Sequence, residues 1–283
     1  MSEGSIAYEK DATTHIARIT IDNPAKRNAY DLELRDAMFD AMVDAAEDDA
    51  VKVVLLRGTG GDLSAGADLG GAYAWYETPG DTRRPSQRRR LTVDRQRQHL
   101  YHLWTGYPKA TVVQLEGVAL GGGLELALAG DVTVAGRTAR IGMPAARFLG
   151  PVLGNLHLFF HRMGPVLTRR MLLTGDLIKM AEIAHLGLFT EVVDDTDVAT
   201  VAEGYAAKIA KMPADGIVLA KEAYRLVESL NGLAGAEVTA YLFHAMGTNL
   251  RFDEDEFNFV KTRAEVGVSE AFRQRDRHFT IEN

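Results

Sequence analysis

The sequence predicts an α/β core followed by a helical C-terminal region. Short apolar strands alternate with helical patterns in the first part of the chain, and from about residue 165 onward the pattern is mostly helical. Alternation of this kind is typical of a sheet covered by helices. We therefore assign residues 1–195 to a core that carries the functional site, and residues 196–283 to a C-terminal helical region.

Local signals place the individual elements. Residues 16–21 alternate as in a strand and end at the turn signal Asp22-Asn23-Pro24. Asp31 is suited to cap a helix, because apolar residues recur after it at spacings of three and four. Further strands are predicted at 52–56, 111–115, 132–135 and 190–193. Helices are predicted in the second half of 83–107, at 181–186, 197–211, 233–246 and 253–266, and from Pro213 onward.

Composition narrows the class of protein. The chain has 283 residues, 46% of them hydrophobic, with a net charge of −7, which argues against general nucleic-acid binding. It contains no cysteine, which excludes disulfides and thiolate metal sites. No secretion signal is visible at the start, and the apolar runs are too short or too often interrupted to span a bilayer. We expect a cytoplasmic protein without a membrane partner.

Three consecutive glycines, Gly121 to Gly123, form the most informative feature of the chain. They follow the predicted strand 111–115 and open a helix whose first turn carries Glu125. Bare N–H groups at the positive end of a helix favour a negatively charged ligand atom, and the glycines permit its close approach. The spacing fits neither a dinucleotide fingerprint nor a P-loop. Tight packing of helix on strand is the structural alternative.

A second loop strengthens the functional interpretation. Residues 64–69, with the sequence Ser-Ala-Gly-Ala-Asp-Leu, also follow a strand and also contain a glycine. One backbone N–H from each loop could converge on a single oxygen, which is how an oxyanion hole is built from the main chain. Ser64 is a poor candidate for a nucleophile, because Gly-x-Ser-x-Gly would need glycine where Asp62 stands.

Taken in order, the segments 22–29, 64–69, 108–111, 117–126 and 172–175 resemble the enoyl-CoA hydratase/isomerase (crotonase) superfamily. The resemblance implies a spiral of β-β-α turns followed by C-terminal helices that assemble a homotrimer, often paired into a dimer of trimers. By position, it implies that the N–H groups of Ala67 and Gly122 are the oxyanion donors and that Glu125 is the acid/base. It implies binding of an acyl-CoA thioester by Lys26, Arg27, Ala65, Ala67, Asp68, Leu69, Gly70 and Gly122.

The chain also departs from the family pattern. Hydratases of this family resemble one another in a second glutamate about twenty positions after the first, but here Ala145 and Ala146 occupy that stretch. Gly70 stands where the family has a lysine. Arg147, Asn155 and His157 lie nearby in sequence, and none is a convincing replacement for the acid; an arginine stays charged and cannot act as a base.

The leading hypothesis is hydration or dehydration of a 2-enoyl-CoA, with Glu125 as acid/base. Decarboxylation, double-bond isomerisation and thioester hydrolysis are rival reactions, and a catalytically silent acyl-CoA-binding protein is a rival of another class. No metal or redox cofactor is expected, because coenzyme A arrives on the substrate.

Other conspicuous residues receive plainer interpretations. We interpret His157 and His161 as ordinary helix-face residues rather than metal ligands. The arginines between 83 and 97 are interpreted as a solvated face, with a local positive field for a polyphosphate coenzyme as the less favoured interpretation. Four bulky aromatic residues are candidates for an acyl pocket, and packing explains them equally well: Tyr73, Trp75, Tyr76 and Trp104.

Overall fold

The structure is a computed structural model, and it describes residues 4–71, 74–78, 80, 83–150 and 154–280. The strands are β1 Ser5–Asp11, β2 Ile16–Asp22, β3 Val53–Gly58, β4 Ala110–Leu115, β5 Val118–Leu120, β6 Val132–Gly136, β7 Arg140–Gly142, β8 Ile178–Lys179 and β9 Glu191–Val193. The helices are α1 Leu32–Glu47, α2 Gln87–Thr105, α3 Gly122–Ala129, α4 Ala146–Leu149, α5 Leu156–Thr174, α6 Met180–Ile183, α7 Val198–Ala210, α8 Ala214–Glu228, α9 Ala234–Gly247, α10 Phe259–Val266 and α11 Val268–His278.

Two sheets organise the part of the chain described here. The larger has the order β1-β2-β3-β4-β6-β9, with β1 and β2 antiparallel and the other neighbours parallel. The smaller has the order β5-β7-β8. The segments β4-β5-α3 and β6-β7-α4 each place one strand in each sheet and then a helix, which confirms the predicted β-β-α turns.

The core lies between the larger sheet and the helices that cover its faces. Strand β4 is buried along its whole length, as expected for a central parallel strand. Helix α1 buries its apolar residues at the predicted spacing, and the Asp31 side chain caps it by accepting from the Leu34 N–H at 3.0 Å. The other face of the sheet packs on α7, whose Val198, Ala202 and Ala206 are fully buried.

Several elements differ from the sequence expectation. The sequence did not predict strands β1, β5, β7 and β8 or helices α4 and α11; β5, β7 and β8 are at most three residues long and give no measurable periodicity. Helix α5 begins at residue 156, about nine positions before the mostly helical region that the sequence predicts from residue 165. Residues 253–258 are not helical, because α10 begins only after Asn258, whose side chain caps it by accepting from the Lys261 N–H at 3.0 Å.

The C-terminal helices α7, α8 and α9 differ in what they contact. Helix α7 completes the core, and α9 packs along α2. Helix α8 leaves large apolar side chains exposed, among them Leu219 and Leu226, and Leu230 just after its end is exposed too. None of the helices in the described ranges is both long and apolar enough to cross a membrane.

Candidate active site

Two loops from distant parts of the chain lie side by side. Ser64 runs alongside β5: its N–H donates to the Val118 carbonyl at 3.0 Å, and its own carbonyl accepts from the Leu120 N–H at 2.9 Å. Gly66 has φ +83°, and a Cβ there would lie 2.5 Å from the Leu120 oxygen and 2.9 Å from the Gly122 nitrogen. Only glycine permits this contact, which brings the loop of Ala67 directly against the start of α3.

The turn 22–29 holds the first loop in place. Asn28 has φ +57° and is fully buried, and its side-chain amide donates to the carbonyls of Thr59 and Asp62 at 2.8 and 2.7 Å. The Ser64 hydroxyl donates to the Asn28 carbonyl at 2.7 Å and accepts from the Gly66 N–H at 3.0 Å. Ser64 is therefore a buried structural residue, and its hydroxyl is engaged on both sides.

The two predicted donors open onto one cavity. Helix α3 begins at Gly122 after the cap residue Gly121, and the first N–H groups of a helix have no partner within it. Among the described residues, no group accepts a hydrogen bond from the N–H of Ala67 or of Gly122. Both residues line a cavity of about 670 Å³, called here the donor cavity. Two residues whose N–H groups have no acceptor among the described residues therefore line the same cavity.

Glu125 supplies a buried carboxyl group to this cavity. It lies on the first turn of α3, is only 5% exposed, and lines the donor cavity. Burial raises the pKa of Glu125 to about 8, opposed by the Asn155 N–H, which donates to Oε2 at 3.2 Å. The carboxyl group is thus mostly protonated at neutral pH, yet it can ionise within the range in which enzymes work.

No second carboxyl group stands where the hydratases of the family have one. Met143, Pro144 and Ala145 form that wall of the donor cavity. Arg147 turns away, since its guanidinium donates to Asp176 and to the Thr174 carbonyl, both at 2.9 Å. His157 lines a different cavity, where its ring stacks on that of His161 at 5.8 Å.

Asn155, by contrast, does reach Glu125, but through its backbone; its side chain caps α5 by accepting from the Leu158 N–H. In the chain as described, no group of three or more histidine, aspartate or glutamate side chains gathers as a metal site.

All the residues assigned to substrate binding line the donor cavity: Lys26, Arg27, Ala65, Ala67, Asp68, Leu69, Gly70 and Gly122. The two cations lie at its rim. Lys26 Nζ is 2.7 Å from Asp68 Oδ2, and Arg27 Nε is 3.8 Å from Asp62 Oδ2. Although burial opposes it, the contact with Lys26 keeps the pKa of Asp68 below its usual range. This end of the cavity therefore contains paired charges at the surface.

Helices α2 and α9 contribute residues that the sequence did not single out. His244 and Gln98 line the donor cavity, and His244 Nδ1 lies 3.1 Å from Asp94 Oδ1. The Tyr76 hydroxyl also donates to Asp94 Oδ1, at 2.5 Å. Asp94, Gln98 and Tyr101 are spaced four and three residues apart on α2, so they share one face. That spacing was the sequence signal for a shared wall, but the many arginines around these residues made the segment resemble a solvent-exposed helix.

The aromatic candidates for an acyl pocket lie in different parts of the structure. Trp75 lines the donor cavity, whereas Trp104 lies in the core, where its Nε1–H donates to the Leu126 carbonyl at 3.0 Å. Tyr76 is buried behind Asp94. Tyr73 lies outside the described residues. The arginines are not simply a solvated face, because Arg90 is buried and donates to the Thr248 carbonyl at 3.1 Å.

Comparison with known proteins gives a consistent result. A putative enoyl-CoA hydratase of Mycobacterium tuberculosis, EchA13, is 31% identical over 95% of this chain and 92% of its own. The 1,2-epoxyphenylacetyl-CoA isomerase of Escherichia coli is 26% identical over 94% of this chain and 95% of its own. An enoyl-CoA hydratase structure from Mycobacterium smegmatis superimposes with a TM-score of 0.82 at 27% identity, covering 96% of this chain and 93% of that one. The fold is accordingly the crotonase fold, and the family model for enoyl-CoA hydratase/isomerase matches residues 11–266. The chain belongs to the enoyl-CoA hydratase/isomerase family.

Proposed function

We propose that this protein hydrates the double bond of a 2-enoyl-CoA, and catalyses the reverse dehydration, through an enolate held by the N–H groups of Ala67 and Gly122. The observation that carries the proposal is the juxtaposition of these two donors with the buried carboxyl group of Glu125 in one cavity. Backbone donors fixed before the reaction stabilise charge that develops on the thioester oxygen without a cost of reorganisation.

The rim of the donor cavity would receive the coenzyme. Lys26 and Arg27 stand at the surface on the side of the Ala65–Gly70 loop, where phosphate groups can remain hydrated while they bind cations. The thioester then reaches inward to Ala67 and Gly122. The reaction needs no group beyond these residues, water and the coenzyme carried by the substrate.

Glu125 would move both protons of the hydration. Water oxygen adds to C3 while the protonated carboxyl group gives its proton to C2, and the carboxylate so formed takes the proton that the water releases. The carboxyl group ends the cycle protonated, as it began. The raised pKa of Glu125 supports this role, because it keeps the acid form dominant at neutral pH.

A second candidate is migration of the double bond. It is favoured by Ala145, because a 1,3-proton shift needs one base and no activated water, and Glu125 is the buried carboxyl group of the donor cavity, whereas Asp68 pairs with Lys26 at the rim. In this reaction the Glu125 carboxylate removes a proton from C2 of a 3-enoyl-CoA and returns it to C4 through the same enolate.

One spectroscopic experiment separates the two reactions and tests the proposal. With crotonyl-CoA (but-2-enoyl-CoA), hydration removes the absorbance of the conjugated thioester; with but-3-enoyl-CoA, isomerisation creates it. We expect the wild type to hydrate crotonyl-CoA and Glu125→Gln to lose at least a hundredfold in kcat/KM. Glu47→Gln, at an exposed site on α1, is the matched control and should retain full activity.

The outcomes that would contradict the proposal are distinct. A gain of absorbance with but-3-enoyl-CoA, without loss with crotonyl-CoA, would favour the isomerase. Undiminished hydration by Glu125→Gln would remove that residue from the mechanism. The silent binder would be favoured if the protein binds acyl-CoA tightly but converts neither enoyl thioester, does not decarboxylate methylmalonyl-CoA and does not hydrolyse the thioester bond.

A further inference from the structure

A second cavity adjoins the donor cavity and shares part of its wall. It measures about 620 Å³, and Ala67, Gln98 and Tyr101 line both spaces. An acyl group whose carbonyl lies at Ala67 could therefore extend into this second cavity, which we call the side cavity. Its inner wall is the face of α2 that carries Asp94, Arg97, Gln98 and Tyr101. For an acyl pocket, that wall is unusually polar.

Arg97 is a cation in this wall that forms no ion pair with a described carboxylate. Its guanidinium carbon lies 4.2 Å from the centre of the Trp75 ring, and no described carboxylate oxygen lies within 4.0 Å of its nitrogens. Burial lowers the pKa of Arg97 to about 10 and the nearby Arg35 adds to the effect, whereas Asp94 and Asp36 oppose it; the group stays charged at neutral pH. An unpaired, partly buried charge is costly, so an anion bound beside it would be stabilising.

Gln98 adds a second unsatisfied group. Its side chain is 94% buried, lines both cavities, and its Oε1 has no hydrogen-bond partner in the part of the chain described. A glutamine amide offers two donors and one acceptor, and its orientation can reverse to suit a ligand. Arg97 and Gln98 together therefore present several N–H donors to one region of the side cavity.

Three of the four acidic residues that line the side cavity have other contacts, although Asp94 Oδ2 is buried without a hydrogen-bond partner among the described residues. Asp94 Oδ1 accepts from Tyr76 and faces His244, and Asp68 pairs with Lys26. Asp31 caps α1, and Glu33 is exposed to solvent. Of the two guanidinium groups, that of Arg35 contacts Asp36 at 3.3 Å. The cation left for a ligand is that of Arg97.

We propose that the acyl group of the substrate ends in a carboxylate that binds to Arg97 and Gln98 in the side cavity, with Arg35 contributing positive charge. This inference rests on the proposed acyl-CoA site. The proposed length of the acyl group is taken from the spacing along α2: Tyr101, whose hydroxyl lies beside Gly122, is one helical turn from Arg97, an axial rise of about 6 Å. An acyl chain of about six carbons spans that distance from its thioester carbonyl to a terminal carboxylate.

The test compares two thioesters of equal length, 5-carboxypent-2-enoyl-CoA and hex-2-enoyl-CoA. We expect the wild type to prefer the carboxylated substrate in kcat/KM by tenfold to a hundredfold, about the value of a charge-assisted hydrogen-bonded pair. Arg97→Met should abolish the preference by raising KM for the carboxylated substrate while changing hex-2-enoyl-CoA less than about threefold. Arg97→Lys should restore part of it, and Arg95→Met, at an exposed position of the same helix, should leave it intact.

Binding keeps this test independent of the reaction. Adipoyl-CoA and hexanoyl-CoA are saturated analogues that cannot be hydrated, and calorimetry gives the ratio of their Kd values even if neither enoyl thioester turns over. A wild type that binds and converts both members of each pair equally would overturn the carboxylate proposal. The proposal would also be overturned if Arg97→Met weakened the binding of adipoyl-CoA and hexanoyl-CoA to the same degree.

Discussion

The pKa of Glu125 can be tested by following the exchange of a single proton. Butanoyl-CoA has no leaving group at C3, so in heavy water the enzyme can only remove and replace a proton at C2. This exchange needs the carboxylate form of Glu125. With a pKa of about 8, about one molecule in eleven carries the carboxylate at pH 7 and about ten in eleven at pH 9. We therefore expect the rate of exchange at subsaturating substrate to rise about tenfold between these values.

Mass spectrometry of deuterium at C2 measures this rate directly. Glu125→Gln should reduce exchange to the uncatalysed rate at every pH, because a neutral amide cannot remove a proton. A glutamate with its ordinary pKa of 4.5 would give a flat profile above pH 6. A flat profile in the wild type would therefore refute the argument that burial holds this proton.

The same pKa has a consequence for stability that does not depend on any substrate. Because the folded-state pKa of Glu125 lies above its ordinary value, its contribution to stability is complete below about pH 4.5 and is lost as pH rises through about 8. Each pKa unit corresponds to about 1.4 kcal/mol, so the free energy of unfolding should fall by several kcal/mol, at most about 5, relative to Glu125→Gln. Denaturant unfolding of both proteins from pH 4.5 to 9 measures this difference. A constant difference would contradict it.

Two further predictions concern the loops and the assembly. Gly66→Ala should lower kcat/KM for the enoyl thioester a hundredfold or more, because its Cβ would push the two donor loops apart; Gly61→Ala is the control, since its φ of +79° is similar but nothing lies within 4 Å of the added atom. Equal losses in the two variants would show that backbone strain, not the contact, is responsible. We also propose that the exposed apolar residues of α8, with Leu230 just after its end, join subunits in a trimer or a dimer of trimers. Light scattering should then give a mass of three or six times 31.0 kDa, and Leu219→Asp with Leu230→Asp should reduce it; a monomeric wild type would contradict this.

The donor loops were predictable from sequence because their chemistry is local. The glycines at 66, 122 and 123 allow close approach of other groups, the one at 121 adopts a positive φ, and Glu125 follows within one turn. The resemblance to a family then supplied what local rules could not, namely that loops 55 residues apart meet. Helix α1 followed from its periodicity, and its cap followed from the aspartate at position 31.

The wall formed by α2 could not be predicted in the same way. A helix that buries Arg90, Asp94 and Gln98 has no apolar stripe on that face, so periodicity assigns it to solvent. These residues are buried because α9, about 150 positions later, packs over them and brings His244 to Asp94. Short strands such as β5 could not be predicted for a simpler reason, because three residues do not define a period.

The alanine at position 145 also constrains stereochemistry. If Glu125 alone carries protons to and from the acyl chain, every proton it delivers arrives from the side of the enolate plane that this carboxyl group occupies. Water activated by the same group must attack from that side too. Hydrogen and hydroxyl would then be added to the same face of the alkene, and a migrating hydrogen would stay on the face that it left.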